Sequence, residues 1–420
     1  MNGRRVGTLL REAGGAVSFT YHPDWLGWAH RFPISLSLPL MDKALRGAGV
    51  LAVFDNLLPD NLMLRHEIAA RMGAAGDDPH SLLAAIGRDC VGALQFLPES
   101  DAPEEPYVME SKPLSSPEIG RMLRELGRHP LGMEREQAFR ISVAGAQEKT
   151  ALLWDEGWRL PLGMTATTHI LKTRMGHLQS GIDMSTSLEN EFICLRLARA
   201  FGFEVNNAWI ESFDGIDALV VERFDRLMTG GHRLRLPQED FCQALGVAAV
   251  GKYEQDGGPG IADCLGLLSG SLRSLEDRET FLAAQLFFWM IGATDGHAKN
   301  FSIFLGPEGF RMTPLYDILS AEPALASGQI RHQQMQLAMA VRGTQRHYRI
   351  DQIHPRHFVQ TARAAGLGSE IVARAFSRFT TLGILDAVES DLPNNFPEAV
   401  SGPILAAARR RLGQIVGRVQ

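Results

Sequence analysis

A chain of 420 residues, 45% apolar and 21% charged, exceeds the roughly 250–300 residues at which a single hydrophobic core stops growing, and its composition excludes a disordered or fibrous protein. Its net charge of −6 gives no overall basic field of the kind that drives direct nucleic-acid binding. Cys90, Cys194, Cys242 and Cys264 form no CxxC pair, no apolar h-region follows the N-terminus, and the longest apolar run, 281–293, is too short to span a bilayer, so a reducing cytoplasm is expected, with neither export nor membrane insertion.

Residues 1–100 read as one mixed unit. Strands are expected at 16–21, 34–40 and 91–97, and helices at 49–58 and 61–72. A Pro-, Glu- and Ser-rich linker at 98–117 resists regular structure and marks a boundary. From 101 to 226 strand patterns dominate, at 139–143, 150–154, 168–173 and 218–222, around one helix at 187–201. That helix carries a capping-box pattern, Thr186 with Glu189, and Gly202 just past its end. From 227 to 420 the pattern is helical, broken only around 301–316, and the run Arg409-Arg410-Arg411 reads as a solvated helix face. A β-rich part followed by an α-helical lobe implies an α+β, two-lobed architecture, an order of parts that a protein-kinase-like fold also has, with a ligand site expected in the cleft.

The chemistry concentrates after the apolar run at 280–292, in Asp295-Gly296-His297-Ala298-Lys299-Asn300. Protein kinases set a catalytic Asp five residues before a Mg²⁺-binding Asn, and Asp295 and Asn300 keep that spacing. A predicted hairpin, strands at 301–305 and 310–315 about the turn 306–309, would return Asp317 to Asn300. An Asp and an Asn carbonyl are hard oxygen ligands suited to Mg²⁺. Tyr316-Asp317-Ile318 stands where the kinase signature has Asp-Phe-Gly. The plainer reading of each carboxylate is a cap, Asp295 on a turn and Asp317 on a helix beginning at Ile318.

Lys172 ends an apolar strand, where an ammonium can pair with the phosphates of ATP. Glu189 and Glu191 on the following helix are candidates to orient it. The small and polar loop Ala144-Gly145-Ala146-Gln147-Glu148-Lys149 can lay N–H groups over phosphates. It is no Walker A loop, because Glu148 stands at the required Gly position and a strand follows. Glu222, Arg223 and Phe224 close a strand where a kinase hinge would meet adenine. A surface charge cluster is the plain alternative.

These segments resemble the HipA toxins of bacterial type II toxin–antitoxin systems. The likeness is carried by Ile34-Ser35-Leu36-Ser37-Leu38-Pro39-Leu40, Phe54-Asp55-Asn56-Leu57-Leu58-Pro59-Asp60, Ile86-Gly87-Arg88-Asp89-Cys90-Val91-Gly92-Ala93, Ser142-Val143-Ala144-Gly145-Ala146-Gln147-Glu148-Lys149-Thr150, Val221-Glu222-Arg223-Phe224-Asp225-Arg226, Ala293-Thr294-Asp295-Gly296-His297-Ala298-Lys299-Asn300 and Tyr316-Asp317. The resemblance implies an ATP- and Mg²⁺-dependent serine/threonine kinase. In it Asp295 is catalytic, Asn300 and Asp317 hold Mg²⁺, and Lys172 contacts phosphates. Residues 144 to 149 cover the phosphates, Glu222, Arg223 and Phe224 meet adenine, and His297, Ala298, Lys299, Asn300, Tyr316 and Asp317 line the nucleotide site. It further implies autophosphorylation at Ser142, neutralisation by a HipB-like helix-turn-helix antitoxin that binds operator DNA, and an aminoacyl-tRNA synthetase as target. A catalytically inert corepressor and a small-molecule phosphotransferase are the competing expectations.

Overall fold

The computed structural model describes residues 1–99, 109–133, 140–142, 144, 147–178, 180–381 and 383–419. Two compact units emerge, neither of them one continuous stretch. The first comprises Met1–Thr173, Asn207–Val250 and Ser302–Phe310; the second comprises Arg174–Asn206, Gly251–Phe301 and Arg311–Gln420.

The first unit is built on an antiparallel six-stranded sheet. From edge to edge its strands are Ala208–Phe213, Ile216–Glu222, His169–Lys172, Lys149–Trp154, Trp158–Pro161 and Ser111–Pro113. Four consecutive residues of the inner strand Ile216–Glu222, Ala218 to Val221, are buried, as expected of a strand covered on both faces. The stretch read as linker does not stay irregular: Ser111–Pro113 is an edge strand, and the helix Ser116–Arg124 follows at once. The Glu118 carboxylate accepts from the Ser115 N–H and hydroxyl at 2.8 and 2.7 Å, a cap that starts a helix between Pro113 and Pro117.

Two of the strands expected near the N-terminus are loops. In 34–40 the backbone bonds to side chains instead of to a neighbouring strand. The Tyr21 hydroxyl donates to Leu38 O at 2.6 Å and accepts from Ile34 N–H at 3.0 Å, while Leu36 N–H donates to Glu239 Oε1 at 2.9 Å. In 91–97, Gly92 takes φ +74, its N–H donates to the Asp225 carboxylate at 2.7 Å, and Phe96 N–H turns back to Gly87 O. Of the strand expected at 139–143, Phe139 and Val143 lie outside the described residues, and Arg140, Ile141 and Ser142 form no ladder. The expected strand at 16–21 and helices at 49–58 and 61–72 are present as Val17–Tyr21, Ala48–Asp55 and Leu62–Met72.

Glu239 lies fully buried beneath the 34–40 loop, with Oε2 lacking any hydrogen bond among the described residues. Burial pushes its carboxyl up to about 8, so it is neutral in the fold at pH 7. A raised carboxyl stabilises fully below the unfolded value near 4.5, and the contribution is lost as pH climbs to about 8. A rise of that size corresponds to a contribution on the order of 4–5 kcal/mol. Glu239→Gln should therefore leave urea stability at pH 5 little changed and raise it at pH 8. Parallel pH–stability curves for the two proteins would contradict this.

The second unit is mainly helical, around the helix Ser274–Ile291, whose residues from Phe281 to Ile291 are all buried. Phe201, Phe203, Phe287, Phe288, Phe301 and Phe379 pack around it. A hairpin of Gln336–Arg342 and Arg346–Arg349 interrupts the helices where none was expected. Its apolar run, Leu337 to Val341, is buried on both faces, and without alternation such a run reads equally as helix. The helix Ser187–Ala200 starts without the expected capping box. Its Glu189 instead takes both Arg174 nitrogens at 2.7 Å. The arginine run is not simply a solvated face either: Arg409 meets Asp386 and Glu389 at the surface, but Arg411 is buried and donates to Glu322 at 2.7 Å. Among the described residues no helix is long and apolar enough to cross a membrane.

Candidate active site

The helix Ser274–Ile291 stops because Gly292 takes the left-handed conformation, φ 71 and ψ 32. A side chain there would also stand 2.6 Å from Glu322 Oε1, the carboxylate held by Arg411. The chain then turns across the helix end so closely that a Cβ at Gly296 would lie 2.4 Å from the Phe288 ring, so only glycine fits. The loop is closed by one backbone carbonyl: Asp295 O accepts from His297 N–H at 2.8 Å and from Asn300 Nδ2 at 2.7 Å. With its carbonyl thus used, the Asp295 side chain is left out of the turn. It is 56% exposed, in a stretch whose next six residues are buried.

The turn-cap reading of Asp295 thus fails, because its carbonyl and not its carboxylate closes the turn. Carboxylate Oδ1 accepts from the Tyr253 hydroxyl at 2.6 Å and lies 3.8 Å from His297 Nε2. Burial lowers the proton affinity of the His297 ring below that of an ordinary histidine, with Lys252 acting in the same sense and Asp295 and Asp317 against it. The imidazole is therefore neutral at pH 7.

Asn300 commits its amide nitrogen to Asp295 O, so its carbonyl oxygen is the atom left to face a cation. Beyond the hairpin Ser302–Gly306 and Gly309–Met312, the Tyr316 hydroxyl donates to Lys299 O at 2.9 Å, tying the returning chain to the loop. Asp317 has φ +58, a conformation that a non-glycine residue keeps only when its surroundings enforce it. They do so from both sides. Leu315 N–H donates to Glu204 O at 2.8 Å, and Ser320 exchanges two 2.8 Å hydrogen bonds with the Asn190 side chain while its hydroxyl reaches Ile291 O. No helix begins at Ile318, so the helix-cap reading of Asp317 is also wrong; the next helix is Glu322–Ala326.

Asn300 and Asp317 supply two hard oxygens, and among the described residues no group of three or more His, Cys, Asp or Glu side chains could hold a metal alone. That donor set fits Mg²⁺, which completes its shell with water and phosphate, and does not fit a resident Zn²⁺.

In the first unit, Lys149 and Lys172 stand directly opposite each other on adjacent antiparallel strands, both buried. Opposed residues project from the same face, where like charges repel. Lys149 Nζ donates to Ala144 O at 2.6 Å, and Gln147 Nε2 donates to Thr173 O at 2.6 Å, drawing the loop over the strand ends. Gly145 and Ala146 lie outside the described residues. Ser142 is fully buried, with its hydroxyl on Leu57 O at 2.7 Å and its N–H on Asp89 O at 2.9 Å.

Of the expected adenine contacts, Arg223 serves the frame. Its N–H donates to Thr168 O, and its guanidinium binds the Asp225 carboxylate, Thr167 Oγ1 and Cys90 O. Glu222 accepts from Asn207 Nδ2 at 2.7 Å, and Phe224 packs edge-on against Phe304. Sequence reasoning weighed Glu189 and Glu191 but passed over the buried Asn190 between them, which holds the Asp317 segment. It also passed over Tyr253, although the glycine-rich stretch that follows, Gly257-Gly258-Pro259-Gly260, signalled a special backbone there.

The HipA N-terminal domain model matches residues 1–97, and the HipA-like C-terminal domain model matches residues 141–383. The Sinorhizobium fredii protein Y4mE, named provisionally as a kinase, is 37% identical over 325 residues, 76% of each chain. The serine/threonine-protein kinase toxin HipA of Shewanella oneidensis is 31% identical over 351 residues, covering 80% of this chain and 76% of that one. A solved Shewanella oneidensis complex of HipA, HipB and operator DNA superposes with a TM-score of 0.78 at 27% identity, covering 99% of this chain and 96% of its counterpart. With both domain models matched and the α+β, kinase-like fold shared along the whole length, the chain belongs to the HipA family and is a kinase.

Proposed function

We propose that this kinase transfers the γ-phosphoryl group of ATP to a serine or threonine hydroxyl of a protein, with Asp295 as the base. The observation that carries this reading is the 295–317 stretch. There one backbone carbonyl fixes the loop 295–300, leaves the Asp295 carboxylate pointing outward, and binds the Asn300 amide so that its oxygen would be the atom offered to a cation, while Asp317 is held in a conformation it would not adopt alone.

Asp295 accepts the proton of the incoming hydroxyl. Asn300 and Asp317 would hold Mg²⁺, which supplies charge neutralisation at the phosphates. Lys149 and Lys172, opposed on one sheet face, would contact the phosphates. Glu148 and the loop with Ala144 and Gln147 would cover it, with the backbone around Glu222, Arg223 and Phe224 toward the base. Ala298, Lys299 and Tyr316, on the stretch that carries Asp295, are assigned to nucleotide contact on the family resemblance alone.

The kinship with a toxin kinase supports a toxin role, and the HipA–HipB–operator complex of the structural neighbour supports a HipB-like antitoxin partner and, through it, operator DNA. Phosphorylation of an aminoacyl-tRNA synthetase, and self-inactivation by phosphate on Ser142, complete the reading. Ser142 is sealed beneath Leu57 O, so its modification requires that segment to come out, and a phosphate of about −2 charge would then oppose its return.

Labelled ATP and Mg²⁺ added to a cell extract with the purified chain test the target and the modification together. Label is expected in a synthetase band and, by mass spectrometry, on Ser142. A synthetase left unlabelled while other proteins take the label would remove the target assignment, and phosphate found only at other residues of the chain would remove Ser142.

A further inference from the structure

A carboxylate on the surface turns about its side-chain bonds unless something holds it, and Asp295 is 56% exposed. Its holder is Tyr253, whose hydroxyl donates to Oδ1 at 2.6 Å. Among the described residues no hydrogen bond reaches Oδ2. The Tyr253 ring meets His297 edge-on at 4.9 Å between centroids, and the Lys252 ammonium lies 5.5 Å from the ring centre. Lys252 also acts electrostatically on His297 in the loop.

The segment carrying Tyr253 is fixed independently of that contact. Glu254 accepts the Ala340 N–H at 2.6 Å and pairs with Arg346 at 3.6 Å, and Gln255 Nε2 donates to Gln336 Oε1 at 2.9 Å. The Tyr253 carbonyl accepts from Asp256 and Gly258 N–H at 3.0 and 2.9 Å, closing a turn so tight that a Cβ at Gly258 would lie 2.0 Å from Gly251 O. A tyrosine hydroxyl delivered by so braced a turn to one oxygen of the base is a preorganising contact.

We propose that Tyr253 is a positioning residue of the phosphoryl transfer, pinning Oδ1 of Asp295 so that Oδ2 faces the phosphoacceptor. This rests on the reading of Asp295 as the base. In the step itself the acceptor O–H bond breaks and its proton goes to Oδ2. The acceptor oxygen bonds to the γ-phosphorus, and the bond from that phosphorus to the β,γ-bridging oxygen breaks to release ADP. Tyr253 keeps its own proton throughout. Because the contact is made to the base and not to the nucleotide, its removal acts on the rate of transfer and not on ATP affinity.

The test compares wild type with Tyr253→Phe, each prepared with and without Asp295→Asn. Label transfer from ATP is measured to the chain itself and to cell-extract proteins, and an infrared difference spectrum is recorded for each pair. Tyr253→Phe should slow transfer by about 10–100-fold with the ATP KM within about twofold and the thermal midpoint preserved. A carboxylate-stretch difference band should appear when both proteins keep Asp295 and vanish when both carry the Asp295→Asn substitution. Unchanged or faster transfer by Tyr253→Phe overturns the positioning role, and absence of the band overturns the contact. Wild type that transfers no label overturns the kinase reading itself, a result separable from both because the infrared band does not depend on turnover.

Discussion

Asp295→Asn is expected to lower phosphoryl transfer by about 10²–10⁴-fold, the usual contribution of a positioned general base, while the protein stays folded and binds nucleotide as before. The substitution is close to isosteric. The backbone carbonyl that accepts from His297 and Asn300 is untouched, and an amide oxygen can still accept from Tyr253. What is lost is the negative charge and the proton acceptor at the one outward-facing side chain of the loop. Initial rates of label transfer, with a thermal melt and ATP-analogue binding as controls, check this. Activity within about tenfold of wild type would mean that another group takes the proton.

Asp89→Ala is expected to cost about 3–5 kcal/mol of stability, the range for leaving buried charges unpaired. Asp89 lies with Asp225 among Arg223, Arg226 and Arg235, and all five are fully or almost fully enclosed. Burial alone would push its carboxyl up. The guanidinium groups of Arg226, Arg235 and Arg223, with the Thr167 hydroxyl, overcome that and hold it well below the usual carboxylate range. Since the folded value is depressed, the stabilisation is present above about pH 4 and is lost as pH falls further. Alanine leaves three guanidinium groups facing a single carboxylate. The same turn receives Ser142 N–H on Asp89 O and both Arg223 and Arg226 on Cys90 O. Urea unfolding at pH 7 measures the loss, and a cost below about 1 kcal/mol would show that the cluster relaxes or admits water.

The local backbone around the candidate site was legible before the fold was known, because it lies in one stretch. The end of the apolar helix before Asp295 and the hairpin that follows Asn300 are short-range signals that spacing and turn chemistry carry. The supports were not legible, because they come from far along the chain. Tyr253 reaches Asp295 across 42 residues, Asn190 reaches Ser320 across 130, and Asp89 reaches Arg235 across 146. None of these pairs leaves a pattern that a local window can read. The 34–40 loop failed for a related reason. Its alternation is genuine, but the side chains of Tyr21 and Glu239 satisfy backbone groups that a neighbouring strand would otherwise have bonded. Glu189 changed its partner, from the expected helix terminus to Arg174.

The most direct test of the kinase reading is phosphoamino-acid analysis of protein labelled by the wild-type chain from γ-labelled ATP and Mg²⁺, run beside Asp295→Asn. Phosphoserine or phosphothreonine should form with the wild type, depend on Mg²⁺, and fall to near background with the variant. Label found only in free phosphate or in a small molecule, or equal labelling by the two proteins, would contradict it.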